Sequence, residues 1–247
     1  MTTIRFYLPL FLSLVAWQAA VTAGLAPAEM VPAPLAVFEG LWRLLRGGEL
    51  LRHVGVSMYR QLAGFMLAAV IGTALGIGMA RLEGVRLVFE PLLKLLYPLP
   101  KSALIPLLIL WFGIGHNSKI FAIFLGCLLP VVLSVYNGSR GIPRWLVWSA
   151  QSLGTRPYRL LWKVYFPATL PDLLSGLRIG LALSFTLLVS SEFLIARAGL
   201  GFLIQSVGEM GDYAAMFAAI LVVALIGFAA DRLFVRLMAR ALRWQEP

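Results

Sequence analysis

The stretch Trp148–Pro171, WSAQSLGTRPYRLLWKVYFPATLP, lies between two long apolar runs, yet it carries Arg156, Arg159, Lys163, three prolines and Gly154. Its reading depends on the solvent around it. Of the 247 residues, 60% are hydrophobic and 13% charged, and the mean hydropathy is +0.88. A soluble domain of this size cannot bury so much apolar surface, so the chain reads as an all-α integral membrane protein. The formal net charge of +10 argues for membrane topology rather than nucleic acid, because the cations punctuate hydrophobic runs instead of covering a polar face. Cys127 is the single cysteine, and His53 and His116 lack ligand-like neighbours, so neither an intrachain disulfide nor a metal site is expected.

A helix needs about 20 apolar residues to cross roughly 30 Å of hydrocarbon. Six segments qualify, at about Tyr7–Ala26, Val54–Ala80, Leu87–Phe112, Ile120–Tyr136, Leu173–Ala196 and Ala214–Leu237. The first has the Arg5 flank and the small-residue stretch VTAGLA of a secretory signal, but its apolar run exceeds the roughly 7–15 residues of a signal core, which favours a retained span. Between the first two spans, Leu35, Phe38, Leu41, Trp42 and Leu45 recur at helical spacing. They mark an amphipathic interfacial helix. The chain therefore divides into residues 1–52, a span plus interfacial segment, and residues 53–247, the transmembrane core.

Charge orients these spans. With a cytoplasmic N-terminus, Arg43, Arg46, Arg52, Arg60, Lys119 and Arg197 fall outside and Lys101 lies at a helix break, leaving 14 of the 21 cations inside. The positive-inside rule then places both termini, and the Trp148–Pro171 segment, in the cytoplasm. Helix packing is also signalled. Gly64, Ala68, Gly72, Gly76 and Ala80 recur every four residues, and Gly176, Gly180 and Ser184 repeat the pattern later, each a stripe that lets backbones approach.

Locally, Ser149 to Leu153 can form a short helix closed by Gly154. Pro157 can then start a second one through Tyr158–Phe166, with Pro167 and Pro171 expected to break the chain before the fifth span. The product is a helix-turn-helix elbow with Arg156, Arg159 and Lys163 on its polar side and Leu160, Leu161, Val164 and Tyr165 available to bury. From composition alone, an ordinary basic loop obeying the positive-inside rule is the stronger reading.

The spacing Ser149-Ala150, Gly154, Val164-x-Phe166-Pro167 resembles the EAA loop of the membrane subunits of binding-protein-dependent ABC importers, whose pattern is Glu-Ala-Ala-x3-Gly-x9-Ile-x-Leu-Pro. Together with LPKSALIPLLILWFGIG (Leu99–Gly115) and GLGFLI (Gly199–Ile204), it is similar to the nitrate/sulfonate/taurine branch of those permeases, from about His53 to Trp244. Trp148 stands where the pattern has Glu. That departure puts in doubt any cap or ion pair drawn from the family's carboxylate.

The resemblance implies a type I importer transmembrane domain in the cytoplasmic (inner) membrane and a cytoplasmic EAA coupling loop at about residues 140–171. It implies a second permease copy, two ATPase subunits that bind ATP and Mg, and an extracytoplasmic solute-binding protein. The transported solute would be a small anion such as a sulfonate, taurine or nitrate, carried by ATP-driven alternating access. In such a loop Gly154 would give the turn, Leu160 and Leu161 would anchor it, and Arg156 and Arg159 would meet polar groups of the ATPase. No G-x4-G-K-[ST] motif occurs, so the chain is expected to bind no cofactor and to be no enzyme itself. Candidates for the translocation path are Pro98, Pro100 and Lys101, where the third span is interrupted, and Glu192 near the end of the fifth. The rival reading is a secondary transporter or channel without an ATPase partner. An elbow built for docking argues against it.

Overall fold

The computed structural model describes residues 2–25, 27 and 30–245, and every regular element among them is helical. The helices are α1 (Thr2–Thr22), α2 (Pro34–Arg46), α3 (Glu49–Arg81), α4 (Glu83–Leu96), α5 (Ile105–Phe112), α6 (His116–Gly141), α7 (Arg144–Ser152), α8 (Pro157–Leu160), α9 (Phe166–Leu194), α10 (Leu200–Glu209) and α11 (Tyr213–Ala241). Four helical stretches are long and apolar enough to cross a bilayer: α3, α6, Tyr158–Leu194 and α11. The expected third span is instead a broken pair, α4 and the segment Lys101–Phe112, bent by 96°, so that the described residues hold four spans, or five if this pair is counted as one. In α1 the apolar part among the described residues is Phe11–Thr22, and Ala26, the expected end of the first span, lies outside the described residues.

The contacts group the chain into two compact units, residues 1–57 with 192–226, and residues 58–191 with 227–247. In the first unit, α2 packs through its Val37 and Gly40 face. A Cβ on Gly40 would stand 2.8 Å from the Ala214 backbone. The Leu35, Phe38, Trp42 and Leu45 stripe expected from the sequence points outward. Asp212 caps α11 by accepting the Ala215 N–H at 3.0 Å, and its Oδ1 also takes Arg43 at 3.1 Å.

The second unit is organised around α6. The stripe on α3 faces it: Cβ atoms at Gly64, Gly72 and Gly76 would lie 2.7–2.8 Å from Ile120, Val131 and Val135, and Ala68 is fully buried in a cluster with Ile123 and Cys127. From the other side, Gly176 of α9 sits against Ser134 and Pro130. Cys127 Sγ donates to Gly180 O at 3.1 Å. Buried polar pairs key these contacts, Gln61 with Ser184 at 2.9 Å and Ser139 with Thr169 at 3.0 Å. Arg178 makes a bidentate pair with Asp231 of α11, at 2.8 and 3.2 Å.

One expectation is corrected. Pro167 and Pro171 do not break the chain, because helix runs from Tyr158 to Leu194 in 37 residues. Pro167 follows directly on the turn Leu161–Tyr165, a π-helix, and such a local widening of the helix coincides with the place where the proline's missing N–H interrupts the regular bonding. Pro171 lies within α9.

The close approach to α6 is testable. Gly76→Ala should destabilise the protein by about 1–3 kcal/mol, the cost of forcing a methyl into a packed contact. Gly78→Ala, whose new Cβ would meet only Val85 at 3.6 Å, should be neutral or slightly stabilising. Thermal melts of both variants in detergent give the comparison.

Candidate functional site

The elbow is built by three successive devices. Ile142 and Pro143 in extended backbone separate α7 from α6. Helix α7 then closes in a Schellman motif: Thr155 N–H donates to Ala150 O at 3.0 Å, Gly154 N–H to Gln151 O at 2.8 Å, and Gly154 has φ +77°. Arg156, in extended conformation, is the N-cap of α8 and Pro157 its first residue, a position that needs no N–H donor.

Burial divides the elbow's residues. Leu160 and Tyr165 are buried, while Leu161, Val164, Phe166, Pro167 and Ala150 are half-buried. Arg156, Arg159 and Ser149 are exposed. A Cβ on Gly154 would meet nothing within 4 Å. The exposed face also carries Trp145, Trp148, Leu153, Tyr158 and Trp162, with Leu153 86% exposed at the tip beside Gly154. Reading the segment as a basic loop with a buried apolar side hides this feature. Its only signal in the sequence was the density of aromatic residues among the cations. A cluster of large apolar side chains around an exposed turn, rimmed by arginines, is suited to a protein partner.

At the break in the third span, Lys101 solves a local problem. In a continuous helix Leu96 O would accept from residue 100, but Pro100 has no N–H. The Lys101 ammonium supplies the missing donor, reaching Leu96 O at 3.0 Å and Tyr97 O at 2.8 Å, where a cation also meets the negative end of the α4 dipole. Pro98 and Pro100 themselves are exposed. Beside them, a cavity of about 560 Å³ is walled by Tyr97, Lys101 and Ser102, by α6 from Gly126 to Ser134, and by α9 from Ile179 to Ser190. Lys101 is the one cation lining it.

Glu192 belongs to the first unit and is fully buried. Ser57 Oγ reaches its two carboxylate oxygens at 2.7 and 3.0 Å, and Gly201 N–H donates to it at 3.0 Å. Ser57 Oγ in turn accepts Leu200 N–H at 2.7 Å, and His53 Nδ1 accepts Gly199 N–H at 3.0 Å. Together they bind the first three amides at the start of α10, donors that the helix cannot satisfy internally. Gly199, at φ +122°, leaves no room for a side chain against the Glu192 carboxylate. His53 and Ser57 were not singled out by pattern, because nothing local links them to residues about 140 positions away.

Known proteins share this architecture. Residues 65–243 match the model of the family described as binding-protein-dependent transport system inner membrane component. The chain is 34% identical to the taurine transport system permease protein TauC of Escherichia coli over 94% of its own length and 86% of that protein's. It is 36% identical to the riboflavin transport system permease protein RibX of Chloroflexus aurantiacus over 96% and 88%. Among solved structures, a chain of the inward-facing MetNI methionine ABC transporter superposes with a TM-score of 0.67 at 18% identity, covering 79% of this chain and 97% of that one. The helical architecture is thus that of ABC importer transmembrane subunits, and the chain belongs to the binding-protein-dependent transport system inner membrane component family, as the membrane-spanning permease subunit of an ABC importer.

Proposed function

We propose that two copies of this chain form the translocation path of an importer, each offering its elbow to one of two ATPase subunits while an extracytoplasmic binding protein delivers the solute. The observation that carries this reading is the exposed turn at Gly154, ringed by apolar side chains that nothing among the described residues covers. ATP and Mg belong to the partner subunits, and this chain hydrolyses nothing itself. Because α8, the π turn and α9 form one continuous helical stretch, a push on the elbow is delivered directly along the fifth span. Such a lever suits alternating access, in which packed elements tip between two arrangements.

The cargo is proposed to be a small anion of the sulfonate or taurine kind. Lys101, the lone cation of the cavity, keeps a third N–H beyond the two that hold Leu96 and Tyr97. Pro98 and Pro100 open the backbone there. Glu192 acts locally, by holding the start of α10 in place. Both termini and the elbow are assigned to the cytoplasm, following the distribution of cations.

Three measurements test these assignments. Gly154→Val should cost about 1–2 kcal/mol in backbone strain at positive φ and should obstruct the partner, so that the protein inserts while uptake and substrate-stimulated ATPase activity in proteoliposomes both collapse. Normal transport by this variant would contradict the coupling role. In a Cys127→Ser background, Thr155→Cys should react with a membrane-impermeant thiol reagent only after the cytoplasmic face is opened, and Asn117→Cys from outside. The reverse pattern would invert the topology. Lys101→Met should slow uptake of an anionic substrate at least tenfold per inserted molecule. A purely structural cap would instead show as lost folded protein with unchanged transport per molecule.

A further inference from the structure

A second concavity lies on the same unit, away from the cavity at Lys101. It is a groove of about 850 Å³ between α3 and the stretch from Leu161 to Leu177, lined by side chains such as Val70, Ala74, Ile77, Trp162 and Phe166. Its walls are almost wholly apolar, and the one hydroxyl on them, Thr73 Oγ1, is committed to Ala69 O at 2.6 Å. On α3 the groove runs from Ala69 to Leu82, about 20 Å at roughly 1.5 Å per residue. One leaflet of a bilayer has about 15 Å of hydrocarbon. The groove therefore matches an acyl chain plus the start of its head group.

The end of the groove is cationic. The Arg81 guanidinium stacks on the ring of buried Tyr165, 3.3 Å from its centroid, and among the described residues it makes no hydrogen bond or ion pair. Stacking holds the plane and leaves the N–H fork free for a phosphate. Trp162 stands exposed nearby, as tryptophans do at head-group depth. One wall of the groove is formed where the π turn at Leu161–Tyr165 joins α9, through Leu161, Trp162 and Phe166.

We propose that this groove is a binding site for one anionic phospholipid, with an acyl chain along α3 from Ala69 to Ile77 and the head-group phosphate on Arg81. Tyr165 is part of the π turn that joins the elbow to α9, so a lipid held there braces the elbow on whichever face of the membrane the elbow lies.

The test uses the full chain in nanodiscs of equal phosphatidylcholine and phosphatidylglycerol, with retained lipids counted by native mass spectrometry. The wild type should keep one more phosphatidylglycerol per chain than Arg81→Gln, whose preference for the anionic lipid should fall about fivefold, the effect of one cation near an anionic surface. Arg81→Lys, which keeps the charge but loses the stacked fork, should fall between the two. Ala74→Phe, which fills the groove without touching the charge, should lose it whatever the head group. Equal retention by wild type and Arg81→Gln would overturn the proposal. So would efficient cross-linking of Ala74→Cys between copies in a Cys127→Ser background, which would assign the groove to a second copy of the chain.

Discussion

The second unit depends on how closely the backbones of α3 and α9 approach α6. In hydrocarbon no hydrophobic force draws helices together, so contact must come from packing and from a few hydrogen bonds, and both require short distances. Gly64, Gly72 and Gly76 on one side and Gly176 on the other provide them, each at a place where even a methyl group would meet Ile120, Val131, Val135 or Ser134. Gln61 with Ser184 and Ser139 with Thr169 then bond across gaps already closed. The walls that α6 and α9 give the cavity beside Lys101 inherit their positions from this contact.

A second constraint explains where the chain stops being a simple bundle. Helix ends leave backbone groups that need partners, most acutely in hydrocarbon, so each interruption of helix carries its own replacement donors or acceptors. At the 96° break the replacement is the Lys101 ammonium. At the start of α10 it is the set His53, Ser57 and Glu192. At the elbow it is the pair of bonds closing α7 around Gly154. These three places are also where the candidate functional residues lie.

The π turn shows how one local irregularity serves several ends. It stands directly before Pro167, lies within the continuous helical stretch that joins the elbow to α9, and supplies part of the groove wall beside Arg81. Its sequence, LWKVY, has no glycine or proline to announce it.

Much was legible in the sequence because it is written locally. Twenty-residue apolar runs must cross the bilayer, glycines every fourth residue must share a helix face, and Gly154 five residues beyond Ser149 must end a short helix, whatever else the chain does. The EAA-like spacing likewise pointed to the family without any coordinates. What tertiary structure alone decided is everything that joins distant residues or balances competing local preferences. Both glycine stripes close on α6, Glu192 turns to Ser57 and the amides of α10, Lys101 bonds back to α4, and Pro167 and Pro171 stay inside a helix that their type predicts will break. The physical reason is the same in each case: a propensity is set by a residue and its neighbours along the chain, whereas a hydrogen bond or a packed contact is made with whatever group the fold brings within about 3–4 Å.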